Sequence, residues 1–282
     1  MLWKIVVGIL FVLMLTGTFL FKPARVRQRL DGSDPERETV RRFRLMTWNI
    51  GYGNLESDTR AHTEDLPAVA ELILNNDPDA VAIQELTGAG QLRLLLSLLK
   101  DRYHGFAGSG GDDDRVTAVL VKQQPGKNSR PRFVNVPAGK KFAAAATFRW
   151  ANEMPEVVLV SAHADAFSAS RRRTLIAELV DWTRQQTPEK NVLIAADLNL
   201  EVATQKQSNL FTDNAKHDSE SYAILLKHFS DLGRDAGATA VNARRIDYVF
   251  GPLTASATHA EVLRGQAIGH MDHWPLLVEI AF

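Results

Sequence analysis

The sequence contains no cysteine, which excludes a disulfide framework, a thiolate metal site, a cysteine nucleophile and a lipoprotein anchor. It also lacks internal repeats, low-complexity tracts and a net charge, since 33 Lys and Arg balance 33 Asp and Glu. With 45% hydrophobic and 23% charged residues, the composition excludes a disordered chain and a membrane protein with many spans. The remaining possibility for 282 residues is one large globular domain or two small ones.

The zero net charge hides an asymmetry along the chain. Residues 1–44 carry nine Lys and Arg against four Asp and Glu, whereas the rest of the chain carries 24 against 29. Nonspecific binding to nucleic acid depends on neutralising phosphates, and an acidic domain is poorly suited to it. Nucleic acid is therefore a disfavoured partner, although the charge alone does not exclude it.

The longest apolar run lies at the N-terminus, where residues 5–21 contain no charge and are flanked by Lys4 and Lys22. About 20 apolar residues span a bilayer. We expect residues 1–22 to form a single transmembrane anchor; the alternative is a signal peptide, whose small-residue cleavage pattern is poor here. Residues 23–42 are expected to form a basic tether. The positive-inside rule favours a cytoplasmic domain, but long domains can translocate regardless of charge, so the side of the membrane stays open.

Residues 43–282 show alternating strand and helix patterns with no linker, which predicts one catalytic domain with sheets inside and helices outside. The strongest helix patterns cover 64–76, with Thr63 as a cap, 89–102, 169–186 and 219–229. The strand patterns cover 43–50, 80–86, 115–122, 131–136, 141–150, 156–162, 191–196, 245–250 and 276–280.

Polar residues stand at the ends of these apolar strands. The set consists of Asn49, Glu85, His163, Asp197 with Asn199, Asp247, and Asp272 with His273. Any one of them is more often a turn or cap residue. Burying several carboxylates together, however, is costly unless a cation or hydrogen-bond donors compensate. The ordered set therefore indicates a divalent-metal site with a histidine acid or base.

The strings that carry this set resemble the endonuclease/exonuclease/phosphatase superfamily, which has the fold of pancreatic-type deoxyribonuclease. The matching strings are Thr47-Trp48-Asn49-Ile50, Gln84-Glu85, Ser161-Ala162-His163, Asp197-Leu198-Asn199, Arg245-Ile246-Asp247-Tyr248 and Asp272-His273-Trp274-Pro275. The resemblance implies a four-layer α/β/β/α sandwich of two mixed sheets with outer helices. It also implies hydrolysis of a phosphate ester with Mg²⁺ or Mn²⁺ as the cofactor.

The resemblance further assigns a role to each residue. It makes Glu85, Asn49 and Asp272 the metal ligands. Asp197 and Asn199 would orient the attacking water and hold the phosphate. Asp247 would fix the His273 imidazole, and His163 would contact the phosphate or act as an acid. The chain departs from the family pattern at two positions, with Met271 where Ser is common and Ala196 where Gly is common.

Three functions remain open at this stage. The first is a phosphoesterase acting on a mono- or diester at a membrane surface, with a lipid or small phosphoester as substrate. The others are a nuclease and a catalytically inactive membrane scaffold.

A basic turn at Arg171–Arg173 is expected to be solvated, with a phosphate or headgroup contact as the alternative. Asp165 is expected to be an exposed loop residue, although it lies close enough to His163 to join the site. The sequence does not determine the number of metals or the oligomeric state.

Overall fold

The computed structural model of the chain describes residues 42–51, 59–108, 115–123, 130–139, 141–151, 154–186, 190–202, 215–265 and 268–282. Residues 1–22, the predicted anchor, and all but Arg42 of the predicted tether lie outside these ranges. No helix within the described ranges is long and apolar enough to cross a membrane. Residues 40–282 form one compact unit, which is the part described below.

The first sheet has six strands in the order β11-β12-β1-β2-β4-β3. Its strands are β1 (Phe43–Asn49), β2 (Ala80–Leu86), β3 (Tyr103–Ala107), β4 (Val116–Lys122), β11 (Ser256–Val262) and β12 (Leu276–Ala281). Strands β1 and β2 run parallel, and the other neighbours are antiparallel. The sheet is therefore mixed, with its parallel pair in the middle.

The second sheet also has six strands, in the order β5-β6-β7-β8-β10-β9. Its strands are β5 (Arg132–Ala138), β6 (Lys141–Phe148), β7 (Val157–His163), β8 (Asn191–Asp197), β9 (Phe229–Asp231) and β10 (Asp247–Pro252). Strands β7 and β8 form its central parallel pair, and the other neighbours are antiparallel. The two sheets thus repeat one arrangement, a parallel pair between antiparallel strands.

Helices cover the outer faces of the two sheets. Helices α1 (Thr59–Asn76) and α2 (Ala89–Leu98) pack on the first sheet, in a core that includes Leu66, Ile73 and Leu95. Helices α3 (Ala169–Arg184) and α4 (Ala215–Leu226) lie on the second sheet, with Leu179 and Leu225 in its outer core. A third core fills the space between the sheets. The result is the four-layer α/β/β/α sandwich that the sequence predicts.

The central strands are apolar along their whole length because both of their faces are buried. In β1, Leu45 faces the core between the sheets, and Met46 faces the core beneath the helices. In β7, Leu159 and Val160 divide in the same way between the two cores of the second sheet. Side chains alternate between faces along a strand, so a strand covered on both sides reads as a continuous apolar run.

The structure differs from the local predictions at the start of one helix and at three strands. Helix α1 begins at Thr59, so Thr63 is not its cap; the Thr63 hydroxyl instead accepts a hydrogen bond from Gln91 Nε2 (2.9 Å). Strands β3, β9 and β11 were not predicted. Strand β11 escaped prediction because most of its residues are exposed and give no alternating apolar pattern.

The expectation for the basic turn holds for only part of it. Arg171 and Arg173 are exposed and paired with acidic side chains, but Arg172 is fully buried. On a helix, residues three and four apart share a face, so Arg172 lies on the buried side with Leu175 and Ile176. A solvated turn is therefore the wrong interpretation for Arg172.

Candidate active site

The predicted site residues meet at one edge of the sandwich because both parallel pairs end there. In the first sheet Asn49 pairs in register with Gln84, immediately before Glu85. In the second sheet His163 pairs in register with Asp197, which also lies opposite Asp247 of the antiparallel strand β10. The carboxyl ends of parallel strands form a common rim for ligands, and here two such rims face each other.

Glu85 reaches this edge through a break in the regular strand. The pairing of β2 with β4 shifts register between Ile83 and Leu86, and Glu85 has a left-handed backbone (φ 66°). Such a bulge redirects a side chain out of the normal alternation. As a result the Glu85 carboxylate lies beside Asn49 and His163, with Oε1 3.3 Å from Asn49 Nδ2 and 3.6 Å from His163 Nε2.

Asn49 joins the two sheets across the site. Its Nδ2 donates to Asp197 Oδ2 (2.9 Å) as well as to Glu85 Oε1, while its Oδ1 accepts from the Gly51 backbone N–H (2.8 Å). The amide oxygen is therefore turned away from the carboxylates. The metal-ligand role of Asn49 stays a prediction. It would require the side-chain amide to flip, so that Oδ1 and not Nδ2 faces the carboxylates.

Asp197 is the buried centre of the second sheet's contribution. Its Oδ2 lies 3.6 Å from His163 Nε2 and 3.8 Å from His273 Nε2, and its Oδ1 accepts from the Asn199 backbone N–H (3.0 Å). Burial raises the pKa of the Asp197 carboxyl, an effect that the two nearby imidazoles oppose and the Asp247 carboxylate reinforces. Asn199 turns back over the site with a left-handed backbone (φ 49°), and its Nδ2 donates to Ala164 O (3.3 Å).

His273 and Asp247 form a buried pair. His273 Nδ1 lies 2.9 Å from Asp247 Oδ2, and the Trp48 indole N–H donates to the His273 carbonyl (3.2 Å). Burial alone would lower the pKa of His273, but the carboxylates of Asp247 and Asp197 outweigh it and raise this pKa to about 10. This pKa favours the imidazolium form of the ring, whose Nε2 faces Asp197 and lies 3.9 Å from Asp272 Oδ1.

The oxygen-rich donor set fits a hard divalent cation. Burial raises the pKa of Asp272, and the carboxylates of Glu85 and Asp197 raise it further while His273 opposes them. Acidic groups that repel one another in this way are stabilised by a cation, and carboxylates are the ligands that Mg²⁺ prefers. A second group also has suitable spacing, since one ligand atom each from Asp197, Asp247 and His273 lies within 4.8 Å of the others.

Two residues at the site were missed by the sequence analysis. A Cβ on Gly51 would lie 1.9 Å from Glu85 Oε2, so only glycine leaves room for this carboxylate. The Arg115 guanidinium forms an ion pair with Glu85 Oε2 and supplies positive charge beside it. Neither residue lies within a recognisable motif string, and only the folded position of Glu85 reveals them.

Asp165 is not part of this cluster among the described residues. Its Oδ1 accepts from the backbone N–H groups of Phe167 and Ser168, both at 2.8 Å, and its Oδ2 pairs with Arg171 at 3.2 Å. These bonds stabilise the loop that leads into α3, where the Ser168 side chain caps the helix. Asp165 therefore shapes the loop that follows His163.

A family model described as the Endonuclease/Exonuclease/phosphatase family matches residues 46–268, a range that contains six of the eight predicted site residues but not Asp272 or His273. The chain belongs to the endonuclease/exonuclease/phosphatase family. Members of this family are phosphoester hydrolases, so the chain is a hydrolase of phosphate esters. A comparison with curated protein sequences finds no match.

Solved structures of this family have the same fold. The mannosyl-6-phosphatase of Bacteroides thetaiotaomicron superposes with a TM-score of 0.66 at 14% identity, covering 85% of this chain and 100% of that one. D. rerio TDP2 in complex with a single-strand DNA product gives 0.65 at 15% identity, with 86% and 99% covered. The human Nocturnin catalytic domain with bound sulfate gives 0.63 at 16% identity, with 86% and 94% covered. These TM-scores show that the fold is shared, and identities of 14–16% leave the substrate of this chain open.

Proposed function

We propose that the chain is a Mg²⁺- or Mn²⁺-dependent phosphoesterase that hydrolyses a lipid or small phosphate ester at a membrane surface. The observation that carries the chemistry is the convergence of Glu85, Asp197, Asp272 and the two imidazoles within hydrogen-bond or near-contact distance at one edge. The apolar run of residues 5–21 supports the membrane location, and the acidic main domain favours substrates other than nucleic acid.

In this mechanism Glu85 and Asp272 would hold the metal, together with Asn49 if its amide oxygen faced the site. The metal would supply neutralisation of charge on the phosphoryl oxygens. Asp197 would orient the attacking water and accept its proton, and Asn199, whose backbone N–H donates to Asp197 Oδ1, would help to hold the phosphate. Water attacks phosphorus in line with the leaving oxygen, and the bond from phosphorus to that oxygen breaks.

The two histidines both lie close to Asp197 Oδ2, His163 Nε2 at 3.6 Å and His273 Nε2 at 3.8 Å. His273 is fixed through Nδ1 by Asp247, so its Nε2–H is directed toward the reacting phosphoryl group. His163, which is only 9% exposed, lies between Glu85 and Asp197 and is placed to contact a phosphate oxygen or protonate the leaving group. Fixed donors of this kind stabilise charge that develops in the transition state.

The chemistry is tested with purified full-length protein in detergent. We expect Mg²⁺- or Mn²⁺-dependent release of p-nitrophenol from bis-p-nitrophenyl phosphate or p-nitrophenyl phosphate, and loss of turnover in excess EDTA. Undiminished turnover in EDTA would contradict the metal dependence. The substrate class is then tested with phosphoinositide and phospholipid vesicles, DNA and RNA under one set of conditions. Preferential cleavage of DNA or RNA would replace the lipid proposal with a nuclease function, and no turnover of any substrate would favour an inactive scaffold.

The membrane proposal has its own experiment. We expect the full-length chain to fractionate with membranes and to resist carbonate extraction, because an uncharged 17-residue run between two lysines is stable only in an apolar environment. A variant without residues 5–21 should move to the soluble fraction. Recovery of the full 31.3 kDa chain in the soluble fraction would contradict the anchor, and recovery of a shortened soluble chain would indicate a cleaved signal peptide.

A further inference from the structure

A buried ion pair lies directly behind the loops that carry the site. Arg172 of α3 and Asp218 of α4 are both 0% exposed. They form two parallel hydrogen bonds, from Nε to Oδ1 (2.9 Å) and from Nη2 to Oδ2 (3.1 Å). This fork arrangement is the strongest geometry available to an arginine and a carboxylate. It joins the two outer helices of the second sheet.

The same guanidinium also holds the loop that follows His163. Arg172 Nη1 donates to the carbonyl oxygens of Asp165 (3.0 Å) and Ala166 (3.4 Å). Next to these residues, the Ala164 N–H donates to the Asp197 carbonyl (2.9 Å). Asn199 Nδ2 also bonds the Ala164 carbonyl. Arg172 is thus connected to the segment between His163 and α3, and this segment is bonded to the other catalytic strand.

Asp218 extends the connection to the segment that follows Asp197. Its Oδ2 accepts from the Glu201 backbone N–H (3.4 Å), and the Glu201 carboxylate pairs with Arg244 Nε at 2.5 Å. One buried pair therefore contacts both chain segments that leave the parallel strands β7 and β8. The first segment follows His163, and the second contains Asn199.

Stability alone does not account for a charged pair at this place. The same face of α3 already buries Leu175, Ile176 and Leu179 against the second sheet. Replacing a buried ion pair by apolar residues of similar size is often neutral or stabilising, because both charges must be removed from water. What apolar side chains cannot supply is three hydrogen bonds to the backbone of two separate loops.

We propose that Arg172 and Asp218 are positioning residues, which fix the two catalytic loops of the second sheet relative to each other. They do not touch the reacting atoms; they act through the backbone at Asp165, Ala166 and Glu201. This inference rests on the proposed function for its kinetic consequence. Small displacements of catalytic groups are costly, since about 1 Å can reduce a rate on the order of 10²-fold.

The test is the double variant Arg172→Met with Asp218→Leu in the full-length protein. It removes both charges and keeps apolar side chains of similar length, so we expect it to fold. With bis-p-nitrophenyl phosphate and Mg²⁺, kcat should fall about 10- to 100-fold with KM nearly unchanged. Leu179→Ala is the matched control: it destabilises the same helix by creating a cavity, and its kcat should stay at the wild-type value well below its melting temperature.

A second measurement separates positioning from a purely structural role. The backbone amides of Phe167, Ser168 and Glu201 should exchange hydrogen faster in the double variant, and they should exchange at the wild-type rate in Leu179→Ala. Wild-type kcat in a folded double variant would overturn the proposal, as would an equal loss of kcat in Leu179→Ala. If wild-type protein hydrolyses no phosphoester, the proposed function fails, and the amide exchange still tests the loop contacts.

Should the double variant fail to fold, Arg172→Lys provides the same test. A lysine retains the charge beside Asp218 but lacks the planar fork that reaches the carboxylate and the two loop carbonyls together. We expect a lower kcat and faster exchange at Phe167 and Ser168. Unchanged kcat in this variant would overturn the proposal.

Discussion

The two sheets bring polar side chains to the same edge by different means. In the second sheet, β7 and β8 remain in regular register up to their last pair, His163 and Asp197. In the first sheet, β2 leaves its register with β4, and Glu85 adopts a left-handed backbone. One rim of the site is therefore regular strand structure, and the other contains a bulge.

The difference corresponds to what each rim must hold. For residues other than glycine the left-handed conformation costs about 1–2 kcal/mol, and such strain persists where the surroundings enforce it. Around Glu85, Asn49 and Arg115 contact the carboxylate, and Gly51 leaves room for it. The regular rim instead carries His163 and Asp197, and its loops are supported from behind by the α3–α4 ion pair. The strained rim thus presents Glu85, the predicted metal carboxylate, and the regular rim presents His163 and Asp197.

Removing the charge of the strained rim should have the largest effect. We expect Glu85→Gln to reduce Mg²⁺-dependent hydrolysis of bis-p-nitrophenyl phosphate by about 10³-fold or more, because the substitution removes the predicted metal carboxylate, and a bound metal ion contributes several kcal/mol in the transition state. The melting temperature should change little, since the side chain keeps its size and its contact with Asn49. Glu71→Gln, on the exposed face of α1, is the matched control and should retain full activity. Full activity of Glu85→Gln would refute the metal assignment.

The pair that links the two rims should have the next largest effect. His273 precedes a strand of the first sheet, whereas Asp247 begins a strand of the second. We expect His273→Ala and Asp247→Asn each to lose about 10²–10⁴-fold in kcat, the usual range for acid–base assistance. The double variant should lose little more than the worse single variant, because residues that act as a unit are not additive.

Two measurements would distinguish an Asp247–His273 pair that acts as a unit from two residues that act independently. If the double variant loses the product of the two single effects while all three proteins stay folded by circular dichroism, the pairing is wrong. The second is an NMR titration of metal-free protein: Asp247→Asn should lower the pKa of His273 from about 10, because the carboxylate that favours the imidazolium is gone. An unchanged His273 pKa would show that Asp247 does not hold the charge.

The sequence was informative wherever one local pattern decided the structure. The inner sheets, the outer helices and the central strands follow from apolar runs such as Ala80–Leu86, whose bounds were predicted correctly, whereas the four-layer sandwich was implied by the family resemblance. Asn49, His163 and Asp197 meet at one edge for a similar reason, since the end of a buried strand has a fixed place in a parallel pair. Asp247 instead begins the antiparallel strand β10, and Asp272 and His273 precede the antiparallel strand β12. Their individual roles stay predictions.

What the sequence did not reveal depends on contacts between distant residues. The burial of Arg172 depends on Asp218, which is 46 positions away, and an arginine in a basic triplet resembles a surface residue until that partner is in place. The bulge at Glu85 has no sequence mark of its own, because glutamate rarely adopts a left-handed backbone. The importance of Gly51 follows only from the bulge, since a glycine after a strand is ordinary turn chemistry.

Gly51 provides the smallest and most local test of the strained rim. An alanine Cβ at this position would lie 1.9 Å from Glu85 Oε2 and 2.9 Å from Glu85 Cβ, so the whole Glu85 side chain must shift. We expect Gly51→Ala to reduce kcat about 10- to 100-fold through this displacement. Gly265→Ala is the matched control, since its Cβ would meet no atom within 4 Å, and it should leave kcat unchanged. Because the three atoms nearest to the new methyl group all belong to Glu85, Gly51→Ala on a Glu85→Gln background should cause little further loss. A full additional 10-fold loss there would mean that Gly51 acts on the site by a route other than Glu85.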